Sequence, residues 1–466
     1  MSEVYDLIAV GCGAAGLSAA LSFVQEASKS GRSVRVSVLE VAPFEERGGA
    51  TRWTGAGLRL TASDELDPLW LGEMERVSKG LVDLDYCRRL ERETPPTMRF
   101  VRDAGVEIMR TAFDVAWDYN EPVSHPSAGG YEIVEKLAAA LEKTGMGEIL
   151  YGTEATRLSV ADNGSIAGIF VRGADGFIRE LKAPVVVLGC GGFEGNPRML
   201  SQYMGANACD LKLLAPGLKY NKGAGLEMAM AIGADTSGQF DMAHTELVDA
   251  RTNHPDAVIH PHPFGIVVNK HGKRFYDEGQ ATFELTFELI AYEVWRNQDQ
   301  QAYFIADQTI ANNADVMALA MTDQPPITAD TLEDLADQLG LERDSLLETI
   351  AAYNASVGEG EFDPYKVDGL STVGLEPPKS NWAYRLENAP FIAFPMTAAI
   401  CFTYGGLKTD TDARVLATNG RPIPGLYAAG EITGLFYHEY PSMVAVLRSL
   451  TFGRIAGIHA AAQLVS

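Results

Sequence analysis

The sequence is short of cysteine, and the few cysteines present are poorly placed for cross-links or metals. There are five, Cys12, Cys87, Cys190, Cys209 and Cys401, and no two of them form a CxxC pair. An odd number without paired spacing argues against a disulfide framework and a zinc knot. No CxxCH segment is present either, so no attached c-type haem is expected.

Positive charge and long apolar runs are also scarce. Lys and Arg number 38 against 62 Asp and Glu, which gives a formal net charge of −24. This balance disfavours nucleic acid and anionic membranes as partners and is typical of a solvated cytoplasmic surface. No uncharged apolar window reaches about 18 residues, so no membrane span is expected. The opening MSEVYDLIAVGCG lacks a basic n-region, so we expect no signal peptide and a cytoplasmic protein.

What the sequence does have is a dinucleotide-binding pattern near its start. The apolar run YDLIAV leads into GCGAAG (11–16), a helical pattern and then the alternating SVRVSVLE, which ends in Glu40. Gly11 permits the tight turn, Gly13 lets the backbone approach a pyrophosphate, and Gly16 lets the helix lie close to the strand. Glu40 is placed to accept hydrogen bonds from ribose hydroxyls.

The remaining chain predicts two domains of α/β type, as its 466 residues and 46 glycines suggest. Residues 65–145 and 281–355 read mostly as helices, and FGIVVNKHGKRFYDEG reads as strand, turn at His271-Gly272 and second strand. Residues 358–380, rich in Gly, Pro and Asp, read as loop. We therefore expect a nucleotide domain in two parts, 1–244 and 381–466, interrupted by a second domain at 245–380.

The motifs in order resemble a known superfamily. GCGAAG, GGATRWTG, VVLGCGGFEGNP, NKGAGLEMA, NKHGKRFYDEG, GGLKTDTDARVL, GLYAAGE and FGRIAG occur in the order found in the fumarate reductase/succinate dehydrogenase flavoproteins. The RWTG, FYDEG and FYH-x-YP segments are most similar to tricarballylate dehydrogenase-like proteins, and 3-ketosteroid dehydrogenases are more distant. The resemblance implies a Rossmann-like FAD-binding domain interrupted by an α+β substrate (capping) domain.

The resemblance also implies which positions hold FAD. Relatives that attach FAD covalently use a His just before a Gly pair, but here PFEER precedes Gly48-Gly49, so we expect non-covalent FAD. No second GxGxxG is present, so the electron acceptor is not identified. The expected FAD positions are Gly11, Gly13, Ala14, Ala15, Gly16, Glu40, Gly48, Gly49, Ala50, Thr51, Thr54, Gly55, Ala155, Gly191, Gly192, Gly225, Gly430, Glu431, Ala445 and Val446.

Three side chains used by dicarboxylate reductases of this superfamily are missing. The Arg proton donor would fall at or near Thr282, and the Arg that clamps a carboxylate would fall at or near Tyr440. A His before the GGL strand is replaced by Cys401 or Phe402. Because an Arg fork is the usual carboxylate clamp and Tyr lacks its charge, these changes count against fumarate or succinate as substrate.

Tyrosine has a different role in the related ketosteroid dehydrogenases, where a Tyr in a similar TYP context hydrogen-bonds the substrate ketone. By this resemblance Tyr440 polarises a carbonyl, and Tyr119 matches a second site tyrosine. Tyr119, Tyr404 and His438 are candidates for the base, although Tyr404 is equally explained as a packed aromatic residue. Arg448 either serves a substrate carboxylate or pairs with a nearby acid.

We therefore expect an FAD-dependent dehydrogenase, or desaturase, that introduces C=C beside a carbonyl. The substrate would be small, such as a cyclic oxo acid or tricarballylate, with α-proton abstraction and hydride transfer to the flavin. The alternatives are an ene-reductase acting on the same substrates and a flavin-binding redox sensor without catalysis. Prolines break the spacing of the histidines in HPDAVIHPHPFG, so no metal is expected.

Overall fold

The computed structural model describes residues 4–119 and 121–464. The helices are α1 (Ala14–Lys29), α2 (Trp70–Val77), α3 (Leu84–Asp103), α4 (Gly129–Lys143), α5 (Pro197–Met204), α6 (Ala224–Met230), α7 (Phe283–Asn297), α8 (Gln308–Ala311), α9 (Ala314–Met317), α10 (Leu332–Leu339), α11 (Arg343–Ser356) and α12 (Ala445–Gln463). The strands are β1 (Leu7–Val10), β2 (Val36–Leu39), β3 (Ile108–Thr111), β4 (Val123–Pro126), β5 (Gly147–Leu150), β6 (Glu154–Val160), β7 (Ile166–Arg172), β8 (Ile178–Lys182), β9 (Val186–Leu188), β10 (Lys212–Leu213), β11 (Thr236–Ser237), β12 (Ala243–Asp249), β13 (Ile266–Asn269), β14 (Ala302–Ala306), β15 (Ile327–Ala329), β16 (Phe391–Thr403), β17 (Gly406–Leu407), β18 (Arg414–Leu416) and β19 (Pro422–Ala428).

The first sheet has the order β18-β19-β9-β1-β2-β5 among the described residues. Its strands run parallel except for the antiparallel edge strand β18. The continuous apolar runs of β1, β2 and β9 are buried throughout, as a parallel sheet covered on both faces requires. The carboxyl ends of these strands therefore meet at one edge, where ligands of such folds bind.

Helices α1 and α12 pack against each other beside this sheet. Glycines permit the close contact, since a Cβ at Gly453 would lie 2.3 Å from the Ala15 carbonyl oxygen. A Cβ at Gly457 would lie 2.2 Å from the Ala19 carbonyl oxygen. The N-termini of both helices are thereby brought to the ligand-binding edge of the sheet.

A second sheet is built on the long strand β16. It has the order β10-β16-β14-β13, with β12 and β15 also paired to β16. Helix α7 packs against β12 and β16 of this sheet. Within the described chain, no helix is both long and apolar enough to cross a bilayer.

The prediction that residues 281–355 are mostly helical holds for α7, α10 and α11. Helix α10 is capped by Thr331, whose side chain accepts from the Asp334 N–H, and is followed by Gly340 with φ of 69°. The second strand expected after His271-Gly272 is wrong: Arg274 forms only an isolated bridge, because its guanidinium is held by Glu278 and by loop carbonyls. The prediction of mostly helix for 281–355 missed strands β14 and β15. Both pair with the long strand β16.

Candidate active site

A cavity of about 460 Å³ lies at the edge of the first sheet. It extends to strand β12 of the second sheet and to helix α7. One end is lined by the Gly-rich turns of the first sheet. The other end is lined by aromatic, acidic and histidine side chains. We call these the cofactor end and the substrate end.

The turn at the start of α1 forms the floor of the cofactor end. Gly11 has φ of 101° and its Cβ would lie 2.4 Å from the Gly189 carbonyl oxygen, so the turn requires glycine. A Cβ at Gly13 would meet only the Thr51 hydroxyl at 3.3 Å and the Gly48 carbonyl at 3.4 Å. Thr51 also accepts from the Ala14 N–H at 3.1 Å, and this contact joins the second Gly-rich loop to the helix start.

Glu40 lies at the end of β2 and faces the same end of the cavity. Its carboxylate accepts from the N–H groups of Ala42 at 2.9 Å, Cys12 at 3.2 Å and Gly48 at 3.3 Å. Burial raises the pKa of Glu40, and these backbone bonds oppose the rise. The carboxylate thereby holds two glycine turns together at the end of the cavity where a ribose would lie.

Most of the predicted cofactor positions do line the cavity. Gly16 and Gly192 do not. A Cβ at Gly16 would lie 2.0 Å from the Gly11 carbonyl oxygen, and one at Gly192 would lie 2.2 Å from a Glu431 carboxylate oxygen. These two glycines therefore support the wall from behind. The positions that line the cavity are Gly11, Gly13, Ala14, Ala15, Glu40, Gly48, Gly49, Ala50, Thr51, Thr54, Gly55, Ala155, Gly191, Gly225, Gly430, Glu431, Ala445 and Val446.

This end of the cavity fits FAD. It offers an open helix N-terminus for a pyrophosphate, a buried carboxylate for a ribose, and side-chain-free backbone where a long planar group must pass. The N-terminus of α12 lies at the same cavity and supplies a second positive dipole end.

Tyr440 lies at the substrate end, immediately before α12. Its hydroxyl oxygen accepts from the N–H groups of Val444 and Ala445, both at 2.8 Å. The helix begins at Ala445, so these two N–H groups belong to its first residue and to the residue before it. With two bonds accepted, the phenol has its own proton left to donate.

Tyr119 lies behind the cavity wall and not in it. Its hydroxyl hydrogen-bonds the Ser442 hydroxyl at 2.7 Å, and its ring lies under the Arg59 guanidinium at 4.0 Å. Burial raises the pKa of Tyr119 well above its usual value, and the charge of Arg59 opposes the rise. Tyr119 contacts two residues that line the cavity, Ser442 through its hydroxyl and Trp117 through its ring.

Two further candidates, Tyr404 and His438, are also absent from the lining. Tyr404 is fully buried and donates to Glu288 at 2.6 Å, which fits the alternative of a packed aromatic residue. His438 lies in a loop with φ of 64°, and its N–H donates to Gln239. His438 therefore does not line the cavity, although it is close to Tyr440 in the sequence.

Arg448 does line the cavity and is 1% exposed. Its Nη1 donates to the Thr433 carbonyl at 3.2 Å, its guanidinium lies over the Phe436 ring, and its Nε has no hydrogen-bond partner among the described residues. Both of our alternatives remain open, because Arg448 lines the cavity and its charge also opposes the rise that burial causes in the pKa of the nearby Glu431.

The sequence did not point to Glu284, which is buried and lines the substrate end. Its Oε1 accepts from the Asp118 N–H and from the Thr282 hydroxyl at 2.7 Å, while Oε2 has no partner in the described part of the chain. Burial raises the pKa of Glu284 to about 7 against these bonds. A carboxyl group with one free oxygen and a near-neutral pKa suits a general acid or base.

His244, His260, Glu246 and Asp256 also line this end, and the sequence did not point to them. His244 contacts Glu288 at 2.7 Å and Glu246 at 3.1 Å, and His260 contacts Glu246 at 3.1 Å. Burial opposes protonation of His244, but its two carboxylate partners raise its pKa to about 9. Burial would raise the pKa of Glu246, yet hydrogen bonds from both histidines lower it. Burial and the charge of Glu246 raise the pKa of Asp256, which also lines the cavity, to about 6.

Ligand atoms of His244, Glu246 and Cys401 lie within 4.8 Å of one another. Both nitrogens of His244 are already hydrogen-bonded to carboxylates. These contacts make the group part of a hydrogen-bond network, and the expectation that no metal binds stays a prediction.

The walls around these groups are aromatic. Phe113, Trp117 and Phe283 contact one another with ring centroids 4.8 to 5.6 Å apart. Phe287 and Phe402 flank His244 at 5.5 and 4.9 Å. The substrate end thus favours a flat or cyclic apolar body with few polar groups.

Comparison with known proteins agrees with this cavity. The family profile described as FAD binding domain matches residues 6–443. NADH:acrylate oxidoreductase of Vibrio harveyi is 33% identical over 392 residues, which are 80% of this chain and 36% of that protein. The chain thus spans about a third of that relative.

Other relatives match over more of their length. Vinyl phenol reductase of Lactiplantibacillus plantarum is 27% identical, covering 98% of this chain and 97% of that protein. The chain is also 28% identical to 4-oxocyclohexanecarboxylate 2-dehydrogenase of Sinomonas cyclohexanicum, covering 84% of this chain and 70% of that protein. The open conformation of a flavocytochrome c3 fumarate reductase superposes with a TM-score of 0.78 at 24% identity, covering 100% of this chain and 79% of that one. Together with the dinucleotide cradle, these matches establish that the chain belongs to the FAD-binding family of the fumarate reductase/succinate dehydrogenase flavoprotein superfamily, and that its cofactor is FAD.

Proposed function

We propose that this protein is an FAD-dependent dehydrogenase that oxidises a CH–CH bond next to the ketone of a small cyclic substrate carrying at most one carboxylate. The observation that carries the proposal is Tyr440, whose hydroxyl accepts two N–H groups at the start of α12 and lines the substrate end. Its remaining proton suits a neutral carbonyl oxygen, where a carboxylate clamp would need a cation.

The proposed base is Glu284. Its Oε2 is buried without a partner among the described residues, and Glu284 lines the same end of the cavity as Tyr440. The segment that carries Trp117 connects Glu284 to the loop of Tyr440. The Asp118 N–H donates to Glu284, and the Tyr119 hydroxyl bonds Ser442. Polarisation of the ketone by Tyr440 makes the neighbouring C–H acidic, and Glu284 takes that proton. FAD, when bound, supplies the acceptor for the hydride that leaves the adjacent carbon.

The charges at this end limit the substrate. Carboxyl groups of Glu246, Asp256 and Glu284 line it, and the two histidines already bond Glu246. Arg448 is left to receive one anionic group. A ring ketone with one carboxylate fits this set better than tricarballylate, which carries three carboxylates.

We also propose that the chain works as the expected two domains, 1–244 with 381–466 holding FAD and 245–380 covering the substrate. Support comes from α7, which contributes Phe283, Glu284 and Phe287 to the cavity. Strand β12 crosses the proposed boundary with His244 and Glu246, so both parts contribute to the substrate end.

The test is anaerobic addition of candidate substrates to the FAD-loaded protein. We expect 4-oxocyclohexanecarboxylate to bleach the flavin band near 450 nm, about where flavins absorb, and tricarballylate to leave it unchanged. The proposal fails if tricarballylate bleaches the flavin, or if no ring ketone does.

Reduction of a C=C bond is the second candidate. It is favoured by the near-neutral pKa of Glu284, which allows the protonated acid to deliver a proton, and by relatives named as reductases. Protein reduced with dithionite and then mixed anaerobically with 4-vinylphenol or acrylate distinguishes the two: rapid reoxidation supports a reductase.

A further inference from the structure

Glu288 is a buried acid that lies behind the wall of the substrate end. It follows Glu284 by one turn of α7. Glu284 and Phe287 line the cavity, whereas Glu288 is buried and does not line it. Glu288 therefore influences the substrate end only through the residues that it contacts.

The Glu288 carboxylate joins two parts of the substrate end. Its Oε2 accepts from the main-chain N–H of Tyr440 at 2.8 Å. Its Oε1 accepts from the Tyr404 hydroxyl at 2.6 Å and contacts Nδ1 of His244 at 2.7 Å. Hydrogen bonds to an ionised carboxylate are among the stronger ones in proteins. Because Tyr404 and His244 hold Oε1, Oε2 is a fixed acceptor for Tyr440.

The loop that carries Tyr440 needs such a contact. It joins β19 to α12, and two of its non-glycine residues, His438 and Met443, have left-handed φ of 64° and 66°. Backbone of this kind is costly outside glycine and persists only where neighbouring contacts hold it. Tyr440 lies between the two strained residues, so its N–H is bonded at a point where the loop would otherwise relax.

The side chain of Tyr440 is held at its other end by the helix start. Its hydroxyl accepts from the N–H groups of Val444 and Ala445, both at 2.8 Å. Its ring packs edge-on against Phe402 and Phe436, with centroids 5.0 and 4.9 Å apart. A tyrosine side chain is rigid along its length, so a shift of the main chain moves the hydroxyl away from the helix start.

We propose that Glu288 is a positioning residue, whose Oε2 fixes the main chain of Tyr440 and thereby places the Tyr440 hydroxyl in the substrate end. The inference rests on the proposed function, in which that hydroxyl donates to a ketone oxygen. A donor at a reacting carbonyl is sensitive to small displacements. Loss of the contact should therefore slow the chemistry more than it weakens substrate binding.

Two variants of almost the same shape separate the acceptor oxygen of Glu288 from its packing. Glu288→Gln retains one acceptor oxygen, and Glu288→Met retains none. A backbone N–H can only donate, whereas the Tyr404 hydroxyl and a neutral His244 can also accept. The amide oxygen of Glu288→Gln therefore turns to Tyr440, and its NH2 group turns to Tyr404 and His244. Glu288→Met fills the same space but leaves the Tyr440 N–H without its acceptor.

Hydrogen exchange measured by mass spectrometry tests the contact without a substrate. Exchange of the peptide 436–445 is compared in the FAD-loaded wild type and the two variants. We expect Glu288→Met to speed this exchange by at least about tenfold, because the N–H groups of Tyr440, Val444 and Ala445 lose their fixed acceptors. Glu288→Gln should match the wild type. Exchange at the wild-type rate in Glu288→Met would overturn the inference, as would equal acceleration in both variants.

Anaerobic flavin reduction by 4-oxocyclohexanecarboxylate tests whether Glu288 acts through the Tyr440 hydroxyl. We expect Glu288→Met to lower kcat by about 10- to 100-fold, the range seen for outer partners of metal-ligating residues, with little change in KM. Glu288→Gln should restore a rate close to that of the wild type. In the Tyr440→Phe background, Glu288→Met should cost little more, because the hydroxyl that it places is already absent. A full further loss in that background would contradict the positioning role.

The two measurements also separate this inference from the proposed function. If Glu288→Met does not retain FAD, Glu288→Gln decides alone. A fall in its rate as large as that of Tyr440→Phe would show that the charge of Glu288 matters and not its contact with Tyr440, and would refute the inference. If exchange changes as expected but no ring ketone bleaches the flavin, the proposed function fails and the contact that fixes Tyr440 stands.

Discussion

Replacing Glu284 by glutamine tests the proposed base directly. The amide keeps an oxygen that can accept from the Asp118 N–H and the Thr282 hydroxyl, so the local contacts should survive. What the change removes is the group that takes up a proton at the free Oε2 position. Loss of a positioned acid or base typically costs about 10²- to 10⁴-fold in rate, and we expect flavin reduction by 4-oxocyclohexanecarboxylate to slow by that range.

The pH dependence gives a second, independent number. Burial raises the pKa of Glu284 to about 7, and abstraction of a proton requires the carboxylate. The rate of flavin reduction should therefore rise with pH and level off above about 7, with roughly a tenfold fall between pH 8 and pH 6. In Glu284→Gln this inflection should be absent.

Anaerobic stopped flow at 450 nm, about the flavin maximum, measures both quantities. Glu132→Gln is the control, since Glu132 is also buried and also accepts N–H and hydroxyl donors, but does not line the cavity. A Glu284→Gln protein that keeps the wild-type rate and the same inflection would remove Glu284 from the chemistry.

Further expectations concern the donor, the cofactor and the cation. Tyr440→Phe should lower kcat by about 10²- to 10³-fold, as for loss of one oxyanion donor. A wild-type rate of flavin reduction in this variant would show that Tyr440 only lines the cavity. Glu40→Ala should weaken FAD binding by on the order of 1.5–3 kcal/mol, measured by titration of the apoprotein, and unchanged affinity would contradict the ribose contact. Arg448→Met should raise KM for 4-oxocyclohexanecarboxylate but not for cyclohexanone; equal effects would contradict an anion site. Acid denaturation should release FAD into solution, and flavin retained on the precipitated chain would contradict non-covalent binding.

The cofactor end was predictable because its signals are local. The turn at 11–16, the acid at Glu40 and the pair Gly48-Gly49 each occupy a short contiguous segment, and backbone geometry alone decides their role. Tyr440 was also found, because Pro441 and the following helix fix its position next to a helix start.

The substrate end was not predictable, since its groups come from separate segments. His244 lies on β12, His260 in a loop and Glu284 on α7, and only the second sheet brings them together. A signal existed in the four-residue spacing of Glu284, Glu288 and Tyr292. That spacing ordinarily indicates a solvent-facing helix surface. Here this face of α7 packs inward, where the Glu288 carboxylate bonds His244 and Tyr404.

The loss of the expected arginines is consistent with the charge balance of the whole substrate end. Two like charges about 5 Å apart repel by about 3 kcal/mol at an effective dielectric constant of about 20. A second or third substrate carboxylate at that distance from Asp256 would meet this repulsion, whereas the charge of Glu246 is offset by His244. Arg448 remains for one anion, and Tyr440 offers a proton to a neutral oxygen. In the function we propose, one ketone and one carboxylate on a ring use both groups, whereas a dicarboxylate would need a second cation.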